Sequence, residues 1–202
     1  MILYVETNFV IELALRQEEY QACRDLLSFV KEHPGVELAL PAFCIGEAYE
    51  AGERKWAQRR QLHQNLLDEI AQIQRSEPFR ERSKELRKLT GLLVESGEEQ
   101  KRILDGLLKE LLAVDRVLPL DRQTFARAVD FQNTRDLKPQ DSIVYASVIT
   151  DLEAHSGEIS CFVTKDRKDF FSNQDIQDEL DGLACKLLGK FTDALGYARS
   201  RS

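Results

Sequence analysis

Four carboxylates of this 202-residue chain stand where acids can act jointly. Glu6 directly follows Ile2-Leu3-Tyr4-Val5, and Glu47 lies in Phe43-Cys44-Ile45-Gly46-Glu47-Ala48. Asp141 heads an apolar stretch after Pro139, and Asp166 follows Phe162-Val163-Thr164, with Asp169 three residues on. Carboxylates held close together repel, and they stay ionised together only around a cation. Histidine and cysteine are absent from the set, so the ion it suits is hard and oxygen-seeking, Mg²⁺ or Mn²⁺ rather than Zn²⁺. Each acid also has a plainer role. Glu6 and Asn8 can organise a helix start, Glu47 can be a solvated helix position, Asp141 can serve a helix dipole, and Asp166 and Asp169 can be turn residues. Four plain roles at four strand ends would be a coincidence. A two-carboxylate glycosidase explains two of the acids and leaves the others unexplained.

The elements that must position these acids can be read from local pattern. Ile2–Val5 is a strand too short for a helix, and Glu6-Thr7-Asn8 ends it. Helices are predicted over 9–15 and 18–32, and a second strand over 36–40, entered through Pro34-Gly35 and stopped by Pro41. From Phe43 to about Asp115 no strand is predicted. Leu62, Leu66, Ile70 and Ile73 keep helical spacing, as do Phe79, Leu86, Leu89 and Leu93, and then Leu104, Leu107, Leu108 and Leu111. Ser76-Glu77-Pro78 and Ser96-Gly97 punctuate this region, so the pattern predicts a long helix followed by a helical hairpin. Beyond it come an extended piece near 116–120, a helix over 122–134 capped by Asp121, and an apolar helix over about 140–155. Strands are predicted at Ile159–Thr164 and Ala184–Leu188, and a last helix over about 190–200. No internal repeat or low-complexity segment is present. The fold class is therefore α/β: a central parallel sheet of four to five strands with helices on both faces, and a long helical insertion in the middle of the chain. Such sheets bind ligands outside the carboxyl ends of their strands, so adjacent parallel strands would gather the four acids at one edge.

Composition narrows the function classes. Apolar residues make up 43% and charged residues 31%, which excludes gross disorder and a membrane-dominated chain. No apolar run approaches the ~20 residues of a membrane span. The first residues lack the basic segment of a secretion signal. The four cysteines and three histidines are scattered without a CxxC pair, which argues against a zinc site or disulfide framework and fits a reducing cytoplasm. The net charge of −7 does not suggest generic binding to a polyanion, yet residues 54–88 alone carry +5, which leaves −12 for the rest. Within that block Arg80, Lys84, Arg87 and Lys88 share one helix face. They read either as a solvated face paired with Glu81 and Glu85 or as a stripe that tracks RNA phosphates. Trp56 reads as helix packing rather than a base-stacking platform.

Four segments together resemble a known family. Tyr4-Val5-Glu6-Thr7-Asn8-Phe9-Val10 is similar to the opening of PIN domains, usually hydrophobic-Asp-Thr-Asn-hydrophobic. Pro41-Ala42-Phe43-Cys44-Ile45-Gly46-Glu47 resembles their second motif, Gln140-Asp141-Ser142-Ile143-Val144-Tyr145-Ala146 their third, and Phe162-Val163-Thr164-Lys165-Asp166-Arg167-Lys168-Asp169-Phe170 their fourth. The likeness covers about 1–50 and 116–190 and leaves the helical middle outside it. It implies one PIN-like domain over 1–202 with a helical elaboration at about 55–115. It also implies metal-dependent hydrolysis of RNA phosphodiesters, in many members as the toxin of a toxin–antitoxin pair. Carried over by position, Glu6, Glu47, Asp141 and Asp166 would hold Mg²⁺ or Mn²⁺, with Asp169 as an extra acid. Thr7, Asn8 and Thr164 would support them by hydrogen bonding. RNA, an antitoxin-like protein and a second copy of the chain are the partners this reading admits, and no membrane. Glu6 departs from the family's usual Asp. Its extra methylene moves the carboxylate by ~1.5 Å, which Mg²⁺ with its near-ideal octahedron tolerates poorly. That departure keeps a weakly active or inactive RNA- or protein-binding module as the alternative.

Overall fold

The computed structural model describes residues 1–114 and 116–201. Asp115 and Ser202, where the predicted helical stretch and the predicted domain end, lie outside the described residues. Five strands form one parallel sheet, β1 (Ile2–Val5), β2 (Glu37–Pro41), β3 (Arg116–Leu118), β4 (Ser160–Val163) and β5 (Cys185–Leu188). The spatial order is β3-β2-β1-β4-β5. β1 pairs with β2 from Ile2 against Glu37 and with β4 from Ile2 against Ser160. Every residue of β1 and β4 is buried, which is why β1 is a continuous apolar run and β4 is apolar after its first residue, Ser160.

Between the strands run α1 (Thr7–Leu15), α2 (Tyr20–Glu32), α3 (Ala42–Ile73), α4 (Arg80–Val114), α5 (Arg122–Thr134), α6 (Pro139–Ala154), α7 (Gln174–Gly182) and α8 (Phe191–Arg199). α2 packs with α8 and α5 with α6, so helices cover both faces of the sheet. The predicted elements are present, and α7 joins them. Pro41 closes β2 as its last residue and also serves as the N-cap of α3, so strand passes into helix with no intervening loop. Asp151 on α6 accepts from the Tyr4 hydroxyl (2.6 Å) and from Arg116 on β3 (2.8 Å), which fastens helix to sheet.

The helical middle differs from expectation in two ways. α3 runs unbroken for 32 residues and α4 for 35, so these two helices are themselves the hairpin, joined through a 3₁₀ turn at Glu77–Phe79. Ser96-Gly97 does not interrupt α4. Gly97 instead lies against Trp56, which is 2% exposed; a Cβ on Gly97 would be in ordinary contact with the indole, 3.4 Å from Cδ1. The Ser96 hydroxyl bonds back to Leu93 O (3.1 Å), a pattern compatible with continued helix. The apolar positions Phe79, Leu86 and Leu89 are 48–61% exposed, while Ser83 and Thr90 are the buried ones, so small residues rather than leucines face α3 here.

Candidate metal centre

The strand order places β1 and β4 side by side, with the chain leaving β1 toward β2 on one flank and β4 toward β5 on the other. This is a topological switch point, and the crevice outside the carboxyl ends of such strands is where open α/β sheets bind ligands. Glu6 emerges from β1 there, and Thr164 with Asp166 from β4. Glu47 sits in the second turn of α3, directly after β2, and Asp141 in the first turn of α6. A pocket of about 430 Å³ lies at this edge and is lined by Glu6, Glu47, Asp141 and Asp166 together. Four acids separated by up to 160 positions in the chain thus open on one cavity.

Glu6 is the N-cap of α1. Its carboxylate accepts from the Asn8 backbone N–H (3.1 Å) and from Asn8 Nδ2 (2.6 Å). Burial raises its pKa. Asn8 and Thr164 pull it down by hydrogen bonding, and the neighbouring Glu47 adds to the rise. Thr7 donates its hydroxyl to the Glu47 carboxylate. Thr164 Oγ1 accepts from the Asp166 N–H (3.1 Å), and Asp166 in turn receives the N–H groups of Lys168 and Asp169 at 3.1 Å each. Thr7 thus touches the Glu47 carboxylate, Asn8 that of Glu6, and Thr164 the backbone of Asp166.

Asp141, Asp166 and Asp169 are closest of all, with one oxygen from each within 4.8 Å of the others. Glu6 and Glu47 line the pocket without joining that cluster, and each is held by its own donor. Asp169 joins the cluster without lining the pocket, and it binds the ammonium of Lys138. Lys138 also stands 3.7 Å from Asp141. Burial, a hydrogen bond to Asp169 and the charge of Asp166 push Asp141 up to about 7. Lys138 holds Asp169 below the usual carboxylate range.

The donor set fits a hard divalent cation. All donors are oxygens, the ligand type that Mg²⁺ and Mn²⁺ take. The raised Asp141 is the electrostatic counterpart: burial and its acidic neighbours disfavour its charged form, and a bound cation would favour it.

Sequence reasoning missed three cations. Arg54 and Lys55 line the same pocket, seven and eight residues after Glu47, two turns along the same face of α3. That spacing was the available signal. Lys138 stands one turn before Asp141 and could have been found by the same rule. Arg80, Lys84, Arg87 and Lys88 do not reach the pocket. They line a separate groove with Gln74 near the far end of the hairpin.

No curated protein and no solved structure matches the chain. A family model described as PIN domain matches residues 3–170, a span that includes all four acids. It also runs through both long helices, which the four-motif resemblance left outside. With this match over most of its length, on a five-stranded parallel sheet whose switch-point crevice gathers the acids, the chain belongs to the PIN domain family.

Proposed function

We propose that the chain is a Mg²⁺- or Mn²⁺-dependent endoribonuclease. The observation that carries this reading is one pocket lined by Glu6, Glu47, Asp141 and Asp166, with Arg54 and Lys55 on its wall. Family membership supports nuclease chemistry in general, and RNA as substrate is the finer step. Asp141, Asp166 and Asp169 would hold the ion, with Glu47 and Glu6 completing its surroundings from the α1–α3 side. A bound divalent ion would supply charge neutralisation at the phosphate and a water of lowered pKa. Arg54 and Lys55 would hold phosphates flanking the cleaved one. They lie ~10 Å along α3 from Glu47, about three stacked nucleotides of strand. Arg54 has only a weak partner, Glu50 at 3.8 Å with both side chains exposed, and so is available to RNA.

The Arg80–Lys88 stripe would add affinity at a distance. His63 contacts the Thr90 carbonyl (2.9 Å), which aligns the two helices, so the stripe begins ~27 Å along the hairpin from Glu47 and ends ~39 Å from it. A cytoplasmic setting agrees with four free, buried cysteines. No helix among the described residues is long and apolar enough to cross a membrane. The toxin setting, with an antitoxin-like protein as partner, belongs to the same proposal and is supported by the resemblance of the four motifs; a small open reading frame beside this one, whose product restores growth on co-expression, is its test.

One observation favours a second reading. Glu6 is engaged as a helix cap, and a carboxylate so occupied suits a binding module that holds RNA without cutting it. Single-stranded RNA incubated with Mn²⁺ decides between the two. The enzyme reading expects cleavage that EDTA and Asp141→Asn both abolish. Binding without cleavage by the parent protein at any Mn²⁺ concentration would establish the module instead.

A further inference from the structure

The α3–α4 hairpin has two unlike edges. Arg59 on α3 bonds Ser96 (3.2 Å) and Gln100 (2.7 Å) on α4, so these positions mark one edge. Glu53 pairs with Lys101 (2.6 Å) and Tyr49 with Asp105 (3.0 Å), which marks the other. Heptad steps along a helix hold nearly the same face, drifting only ~20° each. Stepping from Lys101 and Asp105 leads to Arg87, Arg80 and Lys84, so the second edge is cationic. Stepping from Arg59 leads to Leu66 and Ile73, with Leu62 one turn before Leu66, and from Gln100 and Ser96 to Leu93, Leu89, Leu86 and Phe79. The first edge is therefore an apolar ribbon that crosses from one helix to the other.

Nothing among the described residues covers that ribbon. Leu62, Leu66, Ile73, Phe79, Leu86 and Leu89 are 37–61% exposed. At about half exposure each they present on the order of 450 Å², near the upper end of what monomers leave bare.

We infer that this ribbon is an interface with a second copy of the chain, two hairpins closing into a four-helix bundle. Three observations select that occupant. The first is periodicity: apolar residues at heptad spacing on two antiparallel helices are half of a four-helix core. The second is area. Two ribbons face to face would remove about 900 Å² of apolar surface, and at the ~65% apolar share of homodimer interfaces the total is ~1,400 Å², within the range of stable complexes. The third is charge. The ribbon's borders carry Glu69, Glu85 and Arg82, which can pair across a twofold axis, whereas the opposite edge would set one cationic stripe against another. Contact at the hairpins also keeps the two acidic bodies apart.

Sedimentation of the full chain between about 1 and 100 μM tests the inference. The parent should run at twice the mass of one chain. The double variant Leu66→Glu, Leu89→Glu should weaken association at least about a hundredfold with unchanged far-UV circular dichroism, while Lys84→Glu should leave it intact. A second measurement covers the case in which the double variant loses helix. All four native cysteines are buried, so Leu89→Cys introduces the one exposed thiol among the described residues. Mild oxidation should convert this variant to a covalent dimer, and Lys84→Cys should stay uncrosslinked. A monomeric parent at 100 μM overturns the inference. So does a dimer dissociated by Lys84→Glu, or a Lys84→Cys variant that crosslinks as readily as Leu89→Cys.

Discussion

Asp141→Asn should make the metal-free protein more stable and at the same time remove its response to metal. In the fold the Asp141 carboxyl is pushed up to about 7 by burial, by its hydrogen bond to Asp169 and by the charge of Asp166, against an ordinary value of 3.8. A carboxyl raised on folding contributes stability that is fully present below the unfolded value. That contribution drains away as pH rises from about 4 through about 7. At ~1.36 kcal/mol per pKa unit the loss by pH 8 is at most ~4 kcal/mol. Two features reduce it. The side chain is 25% exposed. Asp169, which shares the cluster's protons, is shifted the opposite way by Lys138, so the pair titrates together. A figure of ~2 kcal/mol remains, about 4–8 °C in Tm for a chain of this size. Asparagine keeps the shape and carries no charge to lose. In EDTA the melting temperatures of parent and variant should therefore diverge between pH 4 and 7, with the variant higher at pH 8. With Mn²⁺ at a hundred times Kd, the parent should gain ~2.7 kcal/mol and the variant little. A variant that melts below the parent at pH 8 in EDTA, or that gains as much from Mn²⁺, would refute the clustered-carboxylate account.

Substitutions at three further places probe separate links. Glu6→Asp should preserve or raise Mn²⁺-dependent cleavage, since aspartate also caps helices and shortens the reach, while Glu6→Gln should lower it; equal loss in both would mean that the site is adapted to glutamate. Replacing Arg80, Lys84, Arg87 and Lys88 by Gln should flatten the salt dependence of RNA binding, by up to ~0.7 in log–log slope for each phosphate no longer neutralised, and leave turnover at saturating RNA unchanged. A slope equal to the parent's would return the stripe to an ordinary solvated face. Gly52→Ala puts a Cβ 2.9 Å from Trp56 Cη2 and should cost ~1–3 kcal/mol, read as a Tm lowered by several degrees; an unchanged Tm would show that the Trp56 ring can move aside.

The sheet was legible because its strands are short apolar runs closed by polar groups or proline, and because helices alternate with them. α7 was not, since only Ile176 and Leu180 among its nine residues are buried, and two apolar positions four apart make no pattern. Ser96-Gly97 misled for a different reason. A glycine in a helix reads as a break when only its backbone freedom is considered. Here the helix runs straight through it, and packing against Trp56 of the facing helix holds the glycine in helical conformation. The exposed leucines of the hairpin mark the same limit: spacing tells that apolar residues share a face and says nothing of what meets that face.

The acids of the pocket were legible because strand ends fix them: once β1 and β4 are adjacent, Glu6 and Asp166 must be close, whatever the side chains between them do. Arg54 and Lys55 depend instead on how α3 is rotated about its axis. Packing of Trp56, whose ring lies over Gly52, against Gly97 of α4 fixes that rotation, and it is invisible in residues 42–73 alone. One rotation therefore governs two surfaces. It turns Glu47, Arg54 and Lys55 into the pocket and, further out, leaves Leu62 and Leu66 exposed at the hairpin edge, ~22 and ~28 Å along the helix from Glu47. Substitutions at Leu66 and Leu89 should then alter assembly without altering metal-dependent stabilisation, and those at Asp141 the reverse. A change that rotates α3, as Gly52→Ala can, is the one that should disturb both together.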